Sequence, residues 1–320
     1  MRSVLMRSHR RPGVAILHPS RGAPDGGILA EEKTVFVLLP GKKESGDYYQ
    51  LLQESVALSR GSELGLRVEV AYAPAFDQLR VLKRRLAAGL DATVVEPASV
   101  QTMGFILREL REKTGLVLLN AWDASVEEAA RGWGQHPFGT VSTDHGRIGR
   151  IQGEQVRALL PGRGLVLCIT GPRRSSAAEE RYEGLRAAVG SGIEILDAEA
   201  GDWTEPGGAT AFGDWYRVFA ARDAAVDAVA AQSDELAMGV RDAIRGLPAG
   251  PRIDAMRRAP LLGVDACPSY GRRLVDEGTL SASVETPANA GLALDLLQRF
   301  WTKAHRLPLR SFTTPQPYPR

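Results

Sequence analysis

The sequence predicts an α/β protein made of two similar lobes, each with a parallel sheet and helices on both faces. Short apolar runs of strand length alternate with longer amphipathic segments through most of the chain, which is the pattern of repeated βαβ units. The runs are continuously apolar, as in TVFVLLP at 34–40, which indicates strands buried on both faces of a sheet. The stretches 84–99 and 219–235 share a helix end, an Asp-Ala turn, a short apolar strand and a polar junction, so two related lobes are expected.

Length, composition and charge exclude several classes of protein. At ~150 residues per domain, a chain of 320 residues is long enough for about two domains. The hydrophobic fraction of 44% and the charged fraction of 24% are ordinary for a globular protein. A formal net charge of +2 is too small to indicate nucleic acid or an anionic membrane as the main partner. No apolar run approaches the ~18 residues that span a bilayer.

Residues 1–33 have the composition of a flexible leader. They are basic and rich in Gly, Pro and Ser, and their longest apolar run is 14–17. That run is shorter than the ~7 to 15 residues of a signal-peptide core, so no export signal is readable. The leader therefore leaves two alternatives for the location of the protein, the cytoplasm and the cell envelope.

The first half of the chain predicts four strands separated by helices. Each strand is a short apolar run, and each helix has apolar residues three or four positions apart. In order, these are a strand at 34–40, a helix at 49–64, a strand at 66–73, a helix at 76–86, a strand at 91–97, a helix at 103–110 and a strand at 115–122. A loop is predicted at 123–137, where the alternation stops.

The second half resumes the same alternation. The expected strands are 138–144, 165–170, 193–199, 226–232, 260–265 and 281–286. The expected helices are 144–160, 175–189, 207–221, 234–244, 270–276 and 288–301. A Pro- and Gly-rich loop is predicted between the helix at 234–244 and the strand at 260–265. At the junction after 226–232, Gln232, Ser233 and Asp234 are site candidates by position, because ligands bind at the carboxyl ends of parallel strands. Helix capping is the alternative role for these side chains.

Four motifs carry a resemblance to a known family. They are GDYYQLLQESV at 46–56, SSAAEERYEG at 175–184, VAAQSDELAMG at 229–239 and LLGVDACPSYGRRLVDEGTLSASVETP at 261–287. With these motifs, the chain from about Thr34 to Phe312 resembles the type I periplasmic binding proteins that deliver sugars to ABC transporters. It is most similar to the ribose-binding group and is related to the effector domains of lactose-repressor-type regulators.

The resemblance implies two Rossmann-like lobes joined by a three-segment hinge that closes around the ligand. Placed on this chain, the N-terminal lobe comprises 34–143 plus 286–309, and the C-terminal lobe comprises 144–285 plus 310–320. The ligand is then expected in the cleft between the lobes.

In the N-terminal lobe, five residues are candidates for ligand binding: Asp47, Tyr48, Tyr49, Asn120 and Trp122. Tyr48 and Tyr49 match an aromatic pair whose faces can cover the C–H face of a sugar. Asp47 can accept from ligand hydroxyls or can cap the following helix. Asn120 matches an acidic residue that the family pairs with Arg, but Ala121 follows here, and Trp122 comes next. This departure puts the identity of the ligand in doubt.

In the C-terminal lobe, the resemblance implies a second set of ligand contacts. Arg181 matches a binding arginine whose fixed donors suit adjacent hydroxyls or a carboxylate, with pairing on the helix surface as the alternative. Trp203 matches a stacking aromatic residue, and Ser233 replaces the Asn of the family motif AQNDEMALG. Asp265 matches an acidic acceptor, and Glu285 falls near a family Gln, with the register uncertain between Glu285 and Thr286.

These residues predict a non-catalytic substrate-binding protein for a sugar-like small molecule. Its five histidines are scattered, and neither cysteine, Cys168 or Cys267, has metal-ligand spacing, so we expect no catalytic residue, metal or cofactor. The expected partner is an ABC transporter permease or a membrane receptor, the protein itself being a monomer in the periplasm or cell envelope. A ligand-sensing domain of a regulator or signalling system is the main alternative, and an enzyme on the same scaffold is a more remote one.

Overall fold

The computed structural model describes residues 32–43, 47–160, 162–173, 175–219 and 225–319. Apart from its last two residues, the predicted leader lies outside this part of the chain. Within the described residues, no helix combines the length and apolar character that crossing a membrane requires.

The N-terminal lobe is built on a six-stranded parallel sheet. Its strands are β1 (Thr34–Pro40), β2 (Arg67–Ala73), β3 (Ala92–Val95), β4 (Gly115–Leu119), β5 (Phe138–Thr143) and β11 (Arg310–Thr313), in the spatial order β11-β5-β4-β3-β1-β2. Its helices are α1 (Tyr48–Leu64), α2 (Ala75–Leu86), α3 (Val100–Leu110), α4 (Ala124–Arg131) and α11 (Asn289–Lys303).

Both faces of this sheet are covered, as the continuous apolar runs predict. Along β1, Val35, Val37 and Leu39 pack into a core with α11. The alternate residues Phe36 and Leu38 pack into a second core on the other face with α2 and α3. Successive side chains of a strand point to opposite faces, so a strand between two helical layers must be apolar at every position.

The C-terminal lobe repeats this architecture around a four-stranded parallel sheet. Its strands are β6 (Gly164–Thr170), β7 (Ile193–Glu199), β8 (Ala228–Ala231) and β9 (Leu261–Leu262), in the order β7-β6-β8-β9. Its helices are α5 (His145–Leu159), α6 (Ser176–Val189), α7 (Glu205–Phe219), α8 (Asp234–Gly246), α9 (Pro251–Arg258) and α10 (Gly271–Asp276). A small antiparallel pair, β10 (Ser283–Glu285) with β12 (Gln316–Tyr318), completes the lobe. The predicted fold class is confirmed.

Two segments that the sequence predicts as loops contain helices. Helix α4 lies inside the predicted loop 123–137, and α9 lies in the Pro- and Gly-rich stretch before β9. Asp123 caps α4 by accepting from the Ser125 N–H at 2.8 Å. Only Val126 of α4 is buried, so its apolar pattern was too sparse to indicate a helix. Proline at the first position of α9 favours a helix start, a signal that the loop interpretation missed.

The carboxyl-terminal segment differs from the predicted division into lobes, which assigned 310–320 to the C-terminal lobe. Strand β11 pairs in parallel with β5 and so adds to the sheet of the N-terminal lobe, whereas β12 pairs with β10. RSFT at β11 is an edge strand with alternating exposure. It therefore lacks the continuous apolar run by which the other strands were located.

Three chain crossovers join the lobes, and hydrogen bonds between polar side chains link the crossovers to one another. The crossovers lie after β5, after β10 and after β11. The Thr313 hydroxyl donates to Asn289 Oδ1 at 2.7 Å, and the Thr143 and Thr313 hydroxyls lie 3.1 Å apart. Asn289 Nδ2 donates to Asn120 Oδ1 at 2.7 Å. Since Thr143, Asn289 and Thr313 stand at one crossover each, these hydrogen bonds connect all three hinge segments.

Candidate binding cleft between the lobes

The strand orders place the cleft residues at the two switch points of the sheets. In the N-terminal lobe the order reverses between β1 and β3, whose following segments carry Asp47 and Glu96. In the C-terminal lobe it reverses between β6 and β8, which are followed by Gly171 and Gln232. At such points the connections leave on opposite faces of the sheet and open a crevice, which is where open α/β sheets bind ligands.

Arg181 is the most connected side chain of the cleft. It projects from α6 and is only 7% exposed. One guanidinium nitrogen donates to the Gln232 backbone oxygen at 2.5 Å, and Nε donates to His145 Nδ1 at 3.4 Å. The remaining terminal nitrogen lies 3.9 Å from Asp265 Oδ1. The guanidinium is therefore held by α5, by the β8–α8 junction and by the loop after β9.

Trp203 packs beside the Arg181 guanidinium, and its ring lies against the backbone of Gly171. The guanidinium carbon of Arg181 lies 5.4 Å from the centre of the Trp203 ring, within range of a cation–π contact. A Cβ at Gly171 would lie 2.2 Å from the Trp203 ring, so this ring position requires glycine at the end of β6. The sequence indicates Trp203 by its match to a stacking residue, but no sequence signal indicates that its ring packs on Gly171.

We expect Gly171→Ala to displace the Trp203 ring and to lower the free energy of unfolding by about 1–3 kcal/mol, because the new methyl group overpacks the site. Urea unfolding followed by circular dichroism measures this. Gly201→Ala, in the loop between β7 and α7 that carries Trp203, is the control, since nothing lies within 4 Å of a Cβ at Gly201. Equal urea midpoints for the two variants would contradict the prediction.

Asp265 faces Arg181 from a strained backbone position. Its φ of 101° lies in a region that non-glycine residues rarely adopt, and such strain is found mainly where the surrounding structure enforces it. The side chain is 8% exposed, and burial raises its pKa to about 6, although Arg181 opposes the shift. Asp234 lies behind it and accepts from the Ala266 N–H and the Ser283 hydroxyl. Burial and the charge of Asp265 raise the pKa of Asp234 well above its usual value.

The start of α1 brings two tyrosines against the opposite lobe. The Tyr48 ring stacks on Tyr270 with ring centres 3.9 Å apart and an angle of 6° between their planes. The Tyr48 N–H donates to Glu235 Oε1 at 3.3 Å, and the Tyr49 hydroxyl donates to the Pro287 oxygen at 3.2 Å. Burial and the carboxylates of Glu96 and Asp265 raise the pKa of the Tyr49 phenol. Tyr49 therefore lies within electrostatic range of acidic groups from both lobes.

Glu96 links the N-terminal wall of the cleft to the hinge. Its two carboxylate oxygens accept from Asn120 Nδ2 and from Gln50 Nε2, each at 3.2 Å. Burial is the main cause that raises its pKa to about 7, and the charges of Asp47 and Asp265 act in the same direction. Asn120 also accepts from Asn289, which bonds to the residues of the other crossovers. Asn120 and Asn289 therefore connect Glu96 to all three crossovers.

The structure brings together six of the ten residues chosen from the sequence. These are Asp47, Tyr48, Tyr49, Arg181, Trp203 and Asp265. Asp47 also accepts from the Gln50 N–H at 2.9 Å and so caps α1.

The other four residues make different contacts. The Ser233 hydroxyl caps α8 by accepting from the Leu236 N–H, and both functional ends of the Asn120 side chain are held by protein groups. Trp122 lies under the Arg310 guanidinium at 4.3 Å. Glu285 forms an ion pair with Arg272 at 2.7 Å. For these four residues, as for the other six, ligand binding stays a prediction.

Several cleft residues were missed by the sequence analysis. Glu96, Glu235, Tyr270 and His145 contact or electrostatically influence the residues named above. The signal for Glu96 was present, because it lies one residue before the carboxyl end of the predicted strand 91–97, at the edge where ligands bind. His145 and Tyr270 had no comparable signal, because each meets the cleft through a helix start packed against another element.

Two lobes with parallel sheets, three crossovers and a polar cleft at both switch points define the bilobal α/β proteins in which small molecules bind between domains. The model of the periplasmic binding protein domain family matches residues 37–302. The chain belongs to this family, which confirms the resemblance seen in its motifs. A search of curated proteins found no match.

Solved structures share this fold at low sequence identity. A periplasmic solute-binding protein of an ABC transporter from Actinobacillus succinogenes, with bound D-allose, is 15% identical, with a TM-score of 0.75 over 89% of this chain and 97% of that chain. The binding protein of the arabinose ABC transporter from a Shewanella species is 19% identical, with a TM-score of 0.72 over 89% and 91%. The fructose-binding periplasmic domain of a hybrid two-component system is 20% identical, with a TM-score of 0.73 over 90% and 91%.

Proposed function

We propose that this protein captures a sugar or a similar small polar ligand in the cleft between its lobes and presents it to an ABC-type importer. The observation that carries the proposal is the group formed by Arg181, Trp203 and Asp265, which faces Tyr48 and Tyr49 from the other lobe. Guanidinium and carboxylate groups suit ring hydroxyls, and aromatic faces suit the C–H surface of a sugar. These side chains suit ligand binding rather than catalysis, in agreement with the binding-protein family to which the chain belongs.

Ligand capture would proceed by rotation of the lobes about the crossovers at 143–145, 286–288 and 314–315. The family membership supports a location in the periplasm or cell envelope, and we propose that the protein acts there as a monomer. Asp47, Asn120, Trp122, Ser233 and Glu285 are proposed as further ligand contacts that lobe rotation would complete or rearrange.

A thermal-shift screen of the purified protein tests this function. The panel comprises pentoses, hexoses, inositols, sugar phosphates, nucleosides and furanoses, with calorimetry on every compound that stabilises the protein. We expect one class to raise the unfolding temperature by several degrees, since a ligand at 100 times its Kd stabilises by about 2.7 kcal/mol. No shift from any compound would refute sugar capture by this cleft.

A ligand-sensing role is the second candidate, favoured by the similarity to the fructose-binding domain of a two-component system. Both roles require the same cleft, so ligand binding does not separate them. Uptake of the radiolabelled ligand by cells that lack the gene does. Loss of uptake supports delivery to an importer, whereas normal uptake with a lost transcriptional response to the ligand supports sensing.

A further inference from the structure

Among the residues that the structure describes, carboxylates outnumber cationic groups at the cleft. Asp47 and Glu96 approach from the N-terminal lobe, and Glu235 and Asp265 approach from the C-terminal lobe. Among the described residues, one ion pair involves these four carboxylates, and it joins Asp265 to Arg181.

The Arg181 guanidinium is only loosely paired with the cleft carboxylates. Arg181 makes its short contact with the Gln232 oxygen, whereas its distance to Asp265 is 3.9 Å. This exceeds the 2.7–2.9 Å of a well-formed charge-assisted hydrogen bond. Asp265 therefore has capacity to accept from a second donor.

The carboxylates also act on one another. Asp47 and Asp265 both raise the pKa of Glu96, and Asp47, Asp234 and Asp265 all raise that of Glu235, in addition to the larger effect of burial. The pKa is about 7 for Glu96 and about 6 for Asp265, so both carboxyl groups are at least partly ionised at neutral pH. Their negative charges then repel one another. A positive charge among these groups would relieve the repulsion.

A bare metal ion does not fit this arrangement. Across the described ranges, no three Asp, Glu, His or Cys side chains come close enough together to hold one. Aromatic rings lie near these charged groups instead, since Tyr49 is within electrostatic range of Glu96 and Asp265, and Trp203 lies beside Arg181. A positive charge carried on an organic ring would meet both the carboxylates and the aromatic faces, which attract cations.

We propose that the ligand of this cleft is a sugar or cyclitol that carries a protonated amine. The proposal rests on the proposed function of sugar capture and specifies its ligand class. The ammonium group would lie between Glu96 and Asp265, while Arg181 and the tyrosines hold the neutral hydroxyls and the ring.

Calorimetric titration at pH 7 with matched compounds tests the proposal. The sets are D-glucose, D-glucosamine and N-acetyl-D-glucosamine; D-galactose and D-galactosamine; and scyllo-inositol and scyllo-inosamine. We expect the amine of at least one set to bind roughly tenfold or more tightly than its neutral partners, as one charge-assisted hydrogen bond allows. The N-acetyl compound separates the effect of charge from that of added size.

Variants of the chain identify the groups responsible. Glu96→Gln and Asp265→Asn keep side-chain size but remove charge, so each should reduce the preference for the amine several-fold while affecting the neutral partner less. Glu183→Gln on the exposed side of α6 is the control and should leave the preference unchanged. Urea midpoints verify folding of each variant, and Glu96→Gln keeps the test decisive if Asp265→Asn is unstable.

The pH dependence provides an independent readout. Below a carboxyl group's pKa the group is neutral, so lowering the pH from 7 to 5 should protonate Glu96 and Asp265 and weaken amine binding. The other titratable groups at the cleft are Asp47, Asp234 and Glu235, with raised pKa values, and His145, whose pKa burial and Arg181 lower. His145 therefore stays neutral over most of this range.

The outcomes separate the two proposals. Neutral partners that bind as tightly as the amines, or more tightly, overturn the amine proposal while sugar capture stands. Binding by neither amines nor neutral compounds, in these sets and in the wider panel, overturns sugar capture and the amine proposal with it. Preferential amine binding that disappears in Glu96→Gln and at pH 5 supports both.

Discussion

Arg181→Met is expected to weaken ligand binding by about 1.5–3 kcal/mol, roughly a 10- to 150-fold increase in Kd. The arginine approaches Asp265, stacks beside Trp203 and orients the Gln232 junction, so one substitution disturbs three elements of the cleft. Calorimetry with the most stabilising compound of the screen measures the change.

The same substitution should also raise the pKa of Asp265 above about 6, because a nearby positive charge is removed. A larger fraction of Asp265 would then be protonated at neutral pH, and this fraction would accept less strongly from the ligand. Asp265→Ala should accordingly cost a similar 1.5–3 kcal/mol of binding, and the double variant should cost less than the sum.

Arg186→Met is the matched control for Arg181→Met, since Arg186 lies on the same helix but faces solvent beside Glu183. Arg181→Lys separates charge from shape, because lysine keeps the charge but lacks the planar fork of donors. We expect intermediate affinity for this variant. An affinity for Arg181→Met and Asp265→Ala within twofold of the unaltered protein would refute the assigned site.

Gly149→Ala is expected to lower the free energy of unfolding by about 1–3 kcal/mol, the usual range for overpacking a tight interface. Helices α5 and α6 touch here through backbone, and a Cβ at Gly149 would lie 2.0 Å from the Arg181 oxygen and 2.8 Å from the Leu185 nitrogen. Neither backbone atom can rotate away, so the helices must separate. Urea unfolding measures the loss.

Gly146→Ala on the same helix is the control. Its Cβ would come no nearer than 3.4 Å, and the atom it meets is the mobile end of Arg150. Replacing glycine by alanine in a helix without a clash stabilises it by roughly 0.5–1 kcal/mol. Gly149→Ala should also weaken ligand binding, because it displaces the turn of α6 that carries Arg181. Equal stability of the two variants would show that α5 and α6 are not in backbone contact.

Much of the fold was predictable because its signals are local. A strand buried between two helical layers must be apolar at every position, and this made β1, β3, β4, β6 and β8 recognisable. Edge strand β11 and helices α4 and α9 lack extensive burial, so no comparable pattern marks them. The glycines between α5 and α6 were also unreadable, since their requirement arises from a neighbouring helix.

The sequence by itself determined the α/β class, the two lobes and the family, and it predicted a candidate site that includes Tyr48, Arg181, Trp203 and Asp265. Motif and periodicity depend on neighbours along the chain, which the sequence displays directly. Only the tertiary structure decided which polar groups share the cleft. Glu96 and Asp265 come from different lobes, and their proximity depends on strand order and lobe orientation. The excess of negative charge therefore becomes visible only when both lobes are in place.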